Sequence, residues 1–155
     1  MGLVTYGLDF SKHPKATQLE VELVMVGHDD PSALSGQSRG HHIKNVIALL
    51  WPDVRRSWND WNELALWAWE NYDEIGVTGC AAAGKTFTFT LLSIIEFLAK
   101  PMGTRVSLTS TTVPSLRGRV WAEVMKFTRP VSGLFGLNVV DSQTKIQFQK
   151  GDDRS

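Results

Sequence analysis

Cysteine occurs once in the 155 residues, at Cys80, so no internal disulfide can form and the chain reads as one made for a reducing compartment. An excess of charge of one sign is missing too, because sixteen Lys and Arg balance sixteen Asp and Glu. No overall positive field draws the chain toward nucleic acid, and any DNA contact has to come from a local patch. Long hydrophobic runs are lacking. The most apolar stretch, Phe87 to Ala99, carries Glu96 and is too short to span a bilayer. The opening residues Met1 to Tyr6 have no basic region followed by an apolar stretch, and Tyr6 stands where a myristoylation signal needs Ser or Thr. These features predict a cytoplasmic protein with no membrane partner. His13, His28, His41, His42 and Cys80 show no zinc spacing, and no nucleophile-turn signature supports a Ser/His/Asp set. Internal repeats and low-complexity segments are not found.

What is present, 43% apolar and 21% charged residues, is the profile of an ordinary globular domain, with or without an appendage. Glu20 to Val26 is rich in β-branched and apolar side chains and predicts a strand, followed by a polar Gly/Ser/Asp-rich connection from Gly27 to Gly40. A short helix is expected from about His41 to Leu50, limited by Pro52. A second is expected from Ser57 to about Tyr72, with Trp58, Trp61, Ala65, Ala68 and Tyr72 along one face as packing residues. Ile75 to Thr78 then predicts a short buried strand, Gly79 to Gly84 a turn, and Lys85 to Ala99 a helix with an unusually wide apolar surface. Lys100, Pro101 and Gly103 end that helix. The sequence repeats the arrangement with a strand over Arg105 to Thr109, a hydroxyl-rich turn Ser110-Thr111-Thr112 and a helix from about Pro114. Val139-Val140 and Lys145 to Gln149 predict a terminal hairpin.

The residues that carry chemistry are Gly79-Cys80-Ala81-Ala82-Ala83-Gly84-Lys85-Thr86. They fill every fixed position of a phosphate loop: Gly, four free positions, Gly, Lys, then Ser or Thr. Gly79 and Gly84 permit backbone angles and close approaches that a Cβ blocks, so successive N–H groups can wrap phosphate oxygens. Cys80 and the three alanines keep the loop uncrowded. Lys85 is placed to reach the β- and γ-phosphates, Thr86 to put its hydroxyl on Mg2+, and the helix N-terminus to add partial positive charge. A random chain of this length matches the pattern about 0.5% of the time, which makes a glycine-bounded loop before a chance lysine the weaker reading. Arg117 and Arg119 suit DNA phosphate or nucleotide contacts, but beside an apolar stripe they read first as a solvated face.

From His41 to Lys126 the chain resembles the ATPase domain of phage large terminase subunits, the motors that drive DNA into capsids. The resemblance rests on His41-His42-Ile43-Lys44-Asn45, Leu50-Trp51-Pro52, Trp58-Asn59-Asp60-Trp61, the phosphate loop, and Arg105 to Thr111. Of these only the loop is specific alone. The resemblance implies an α/β fold, a partial P-loop NTPase (RecA-like) domain with a mostly parallel sheet flanked by helices. Residues 1–40 would form an N-terminal strand and polar connection, and 41–155 the ATPase domain. It implies ATP and Mg2+ as cofactors, with Gly79 to Thr86 on the phosphates, Thr86 on the metal, and Lys85 as the catalytic residue that stabilises charge developing in phosphoryl transfer. It also implies a Thr109–Thr112 turn near the nucleotide edge of the sheet, an adenine pocket around Trp51 to Trp61, and a hairpin near the end of the chain. Double-stranded viral DNA, a small terminase subunit and a portal are the implied partners, with a homo-oligomer for the full-length motor in the host cytoplasm.

The chain departs from that pattern in having no run of apolar residues ending in Asp-Glu, where the aspartate organises Mg2+ and the glutamate activates water. Val139-Val140-Asp141 is too short, and Asp152-Asp153 follows polar residues. The acidic nuclease domain is missing as well. A truncated, partial or split gene product is therefore expected, ending before the Asp-Glu motif. Two other readings stay open: part of a helicase-like or other P-loop ATPase, and a non-catalytic piece that holds DNA or another subunit.

Overall fold

A computed structural model describes residues 13–79, 84–101, 103–109, 111–135, 137–140 and 145–148. Helices dominate it: α1 (Ala16–Gly27), α2 (Pro31–Ser35), α3 (Arg39–Leu50), α4 (Pro52–Arg56), α5 (Asp60–Asn71), α6 (Lys85–Ala99), α7 (Val113–Ser115) and α8 (Ala122–Phe135), with a π-helical turn over Leu116–Trp121 between the last two. The strands β1 (Leu137–Val140) and β2 (Lys145–Phe148) pair antiparallel, with Leu137 opposite Phe148.

The core follows from spacing. Leu19, Leu23 and Val26 on α1 and Ile43, Val46 and Ile47 on α3 each line one face, and they meet Leu91, Leu92, Ile95 and Leu98 of α6. Phe127 and Val131 of α8 and Leu66 of α5 close the cluster, together with Trp51, whose indole N–H donates to the Phe127 carbonyl at 3.2 Å. Each such side chain removed from water contributes about 1.5–3 kcal/mol, and α6, which supplies the largest share, sits at the centre. α1, α3, α5 and α8 all touch it.

This architecture corrects the expected α/β fold. Among the described residues the sheet is the two-stranded antiparallel hairpin, and no parallel pairing occurs. Glu20 to Val26 lies in α1, not a strand. Its alternation of apolar and polar residues coexists with the 4 and 3 spacing of Leu19, Leu23 and Val26, and burial selects the helical set while Val21 is left 38% exposed. Ile75 to Thr78 and Arg105 to Thr109 have no regular structure. A parallel strand needs both faces covered, whereas Ile75 and Val77 are only half-buried and Thr78, Arg105, Val106 and Ser107 are exposed. The wide apolar surface expected to lie on a sheet is met by other helices.

Candidate phosphate-binding site

The helix expected over Lys85 to Ala99 forms with those bounds. It is preceded by Gly84 in the left-handed region, φ 72° and ψ 15°, which only glycine adopts without strain. A left-handed residue followed by a right-handed one turns successive N–H groups toward a common point, the geometry of an anion-binding nest. No side chain caps this helix and no acidic residue stands in its first turn, so the positive end of its dipole is not answered by a carboxylate. The helical ladder begins with Thr88 N–H donating to the Gly84 carbonyl at 3.0 Å. Lys85 folds back so that its ammonium donates to the Gly79 carbonyl at 2.7 Å, linking the two glycines that bound the loop. Thr86 is exposed at the second helical position. Cys80, Ala81, Ala82 and Ala83, the remaining expected phosphate-loop residues, lie outside the described residues.

The start of α5 is built against this helix end. Asn59 and Asn62 form a reciprocal capping box, both bonds at 3.0 Å. The Asn62 amide also donates to Thr88 Oγ1 at 3.0 Å, and both residues are buried. This tie fixes the first turn of α5 on the first turn of α6 and places Trp61 beside Gly84, where a Cβ added to the glycine would stand 3.9 Å from the indole Nε1. That nitrogen is buried and has no hydrogen-bond partner. Its relatives differ: Trp51 donates to Phe127 O, Trp58 to Glu63 Oε2 at 2.7 Å, and Trp69 to Glu96 Oε1 at 3.1 Å. Glu63 also accepts from Lys44 at 2.8 Å. The Lys44 hydrogen bond holds its carboxyl below the usual glutamate range, with Trp58 helping and partial burial opposing.

The aromatic stripe expected on α5 divides. Asn62, Ala65 and Leu66 form the buried face, Trp61 is half-buried at the loop, and Tyr72 is 56% exposed beyond the helix end. Trp51 is core, so the region Trp51 to Trp61 does not gather into one pocket. The turn before Pro114 leads into a helix as expected, Thr112 Oγ1 accepting from Ser115 N–H at 3.2 Å, but among the described residues the sheet is the antiparallel hairpin and offers no parallel edge for a nucleotide. Arg117 and Arg119 are exposed on the π-helical turn. Asn62 and its bond to Thr88 were missed from sequence, although Asn59-x-x-Asn62 is a variant of a cap signature that could have revealed the α5 start.

A second polar cluster lies between α1, α2 and α3. His42 Nδ1 is 2.6 Å from Glu22 Oε2, and its Nε2 is 2.7 Å from Ser35 Oγ. The order Ser, His, Glu is that of a nucleophilic triad, but the backbone donors beside Ser35 are engaged. Gly36 N–H donates to Ser32 O and Gln37 N–H to Ser35 Oγ itself, which leaves neither for an oxyanion. The cluster ties three helices together. A groove of about 600 Å³ between α3 and α5, lined by His41, Lys44, Glu63, Trp67 and Glu70 among others, includes no phosphate-loop residue.

No protein-family model matches the chain, and no curated protein or solved structure is significantly similar to it. Among the described residues no helix is long and apolar enough to cross a membrane, and no cluster of three His, Cys, Asp or Glu side chains is placed to hold a metal. The described part of the loop fits a phosphate group: a left-handed glycine starts an uncapped helix, a partnerless indole N–H lies beside that glycine, and the first helical lysine reaches the Gly79 carbonyl.

Proposed function

We propose that Gly79 to Thr86 binds the triphosphate of ATP with Mg2+, and that the chain is the ATP-binding part of a viral DNA-packaging terminase motor. The observation that carries the phosphate site is the pairing of left-handed Gly84 with the uncapped start of α6, at the two positions where the Gly-Lys of the sequence pattern requires them. In this reading Lys85 exchanges the Gly79 carbonyl for phosphate oxygens, and Thr86 presents its hydroxyl to the metal from an exposed helix start. Thr86 would hold the Mg2+, and what the metal would supply there is neutralisation of the phosphate charge. The terminase assignment rests on the sequence resemblance, as do duplex DNA, the small subunit and the portal as partners, assembly into an oligomer, and a place in the host cytoplasm. The parallel sheet is no part of it.

A second reading is binding without efficient turnover, since residues 87–155 hold no apolar run ending in Asp-Glu to organise Mg2+ and activate water. The chain then serves as a binding or assembly piece unless another segment supplies the acid.

Calorimetric titration with Mg2+ and a non-hydrolysable ATP analogue tests the phosphate site. Wild type is expected to bind, and Lys85→Ala to lose binding altogether. Equal affinity in the two would remove Lys85, and with it the loop, from the proposal. Hydrolysis above the Lys85→Ala background separates the motor reading from the binding piece.

A further inference from the structure

We infer that Trp61 is a phosphate ligand: its indole N–H donates to an oxygen of the anion bound at the start of α6. This rests on the phosphate-site reading above and adds a residue from outside the sequence motif. An indole N–H donates and never accepts, so a buried one is unfavourable until an acceptor reaches it. Trp61 Nε1 is buried without one, while the buried indole of Trp51 and the half-buried indole of Trp69 each have theirs. Among the described residues around the loop, none supplies it with an acceptor. Lys85 brings a further donor, its Gly79 carbonyl is already engaged by that lysine, and the start of a helix presents N–H groups. A ligand can bring the missing acceptor, and an oxyanion is one that suits an N–H donor at a helix start.

The position is built. The Asn59–Asn62 capping box and the buried Asn62–Thr88 bond lock α5 to α6 one residue from Trp61, and Gly84 lacks the Cβ that would stand beside the indole edge. Binding moves Lys85 from the Gly79 carbonyl to phosphate oxygens. Trp61 therefore acts through its N–H edge, and the contact reads the phosphate, whatever base is attached.

Nitrogen-15 NMR of the whole chain provides the test, with the Trp61 indole signal identified by its loss in Trp61→Phe. Magnesium with a non-hydrolysable ATP analogue, and separately magnesium pyrophosphate, should each move that signal downfield. Trp61→Phe should bind the analogue on the order of tenfold more weakly, the usual size for a hydrogen bond to a charged group. Without ligand it should melt no lower than wild type, since it removes a donor that had no partner, whereas a structural tryptophan would lower the melting temperature. If the Lys85 and Thr86 amides respond while the indole stays still and Trp61→Phe binds as wild type, the inference is overturned and the phosphate loop stands. A response to the analogue but not to pyrophosphate also overturns it. If none of these signals moves, the loop reading falls and the inference with it. Should Trp61→Phe fail to fold, the wild-type titration decides, with the indole assigned through its proximity to Gly84.

Discussion

The two ends of α6 are finished in opposite ways. At the C-terminal end Lys100 N–H donates to the Glu96 carbonyl at 3.1 Å, Thr104 Oγ1 approaches the same oxygen, and Glu96 Oε1 receives the Trp69 indole. Gly27 of α1 packs so closely there that a Cβ would lie 3.0 Å from the Ala99 carbonyl, and Leu98 is 1% exposed. At the N-terminal end there is no side-chain cap, a left-handed glycine, and a buried indole without an acceptor. One helix thus carries a sealed end that contributes stability and an end where, among the described residues, no side chain caps the helix and the Trp61 indole has no acceptor. On the phosphate-site reading proposed above, an unsatisfied group at a site held by buried hydrogen bonds is preorganised, because the ordering is done before a ligand binds.

Truncation at the sealed end should produce the largest stability effect. Leu98→Ala removes a fully buried side chain and should destabilise the fold by about 2–5 kcal/mol in urea unfolding. The same variant, studied where it is still folded, should leave phosphate binding unchanged. A cost like that of a surface residue would show that α6 is not the centre of the core.

The helices and their order of importance were legible to different degrees, for physical reasons. α6 could be read with its observed bounds because a glycine before it and Lys100-Pro101 after it are strong local signals. The terminal hairpin was legible from alternation, and α3 begins two residues before the expected His41 because Ser38 caps it. α1 was not legible as a helix, since Val21, Leu23 and Met25 alternate as a strand would and only contact with α3 and α6 decides the period. The segments at 75–78 and 105–109 have β-like composition but no paired neighbour, and composition cannot supply one. At the site, the loop was visible as a pattern, whereas the orphaned Trp61 N–H depends on where α5 meets α6 and has no signature along the chain.

The N-terminal end can be strained without touching the core. In Gly84→Ala the new Cβ meets Trp61 Nε1 at an ordinary 3.9 Å, so the substitution costs backbone strain alone, given φ 72°. About 1–2 kcal/mol is expected for a left-handed alanine, or a change in the glycine's angle that spoils the nest. Thermal unfolding and phosphate titration should therefore worsen together, with Gly84→Asn milder in both. A neutral Gly84→Ala in both measurements would mean that the left-handed turn is not needed, which breaks the contrast between the two ends at its simplest point.

Glu63, two residues beyond Trp61, gives the smallest effect and the sharpest sign. Its pKa is depressed in the folded state by the Lys44 hydrogen bond foremost, so the folded chain binds its proton less readily than the unfolded chain. The stabilisation is present above the unfolded glutamate value and is lost as pH falls through the folded one. Glu63→Gln should therefore be less stable than wild type near neutrality, and the two should converge in acid. Because 52% of the Glu63 side chain is exposed, solvent screening limits the difference to below about 1 kcal/mol, and added salt should shrink it further. Urea midpoints at pH 7 and pH 3 measure it. Parallel pH profiles for the two proteins would show that Lys44 and Trp58 do not hold the start of α5 through this carboxylate, and would leave the Asn59–Asn62 box and the Thr88 bond as what positions Trp61.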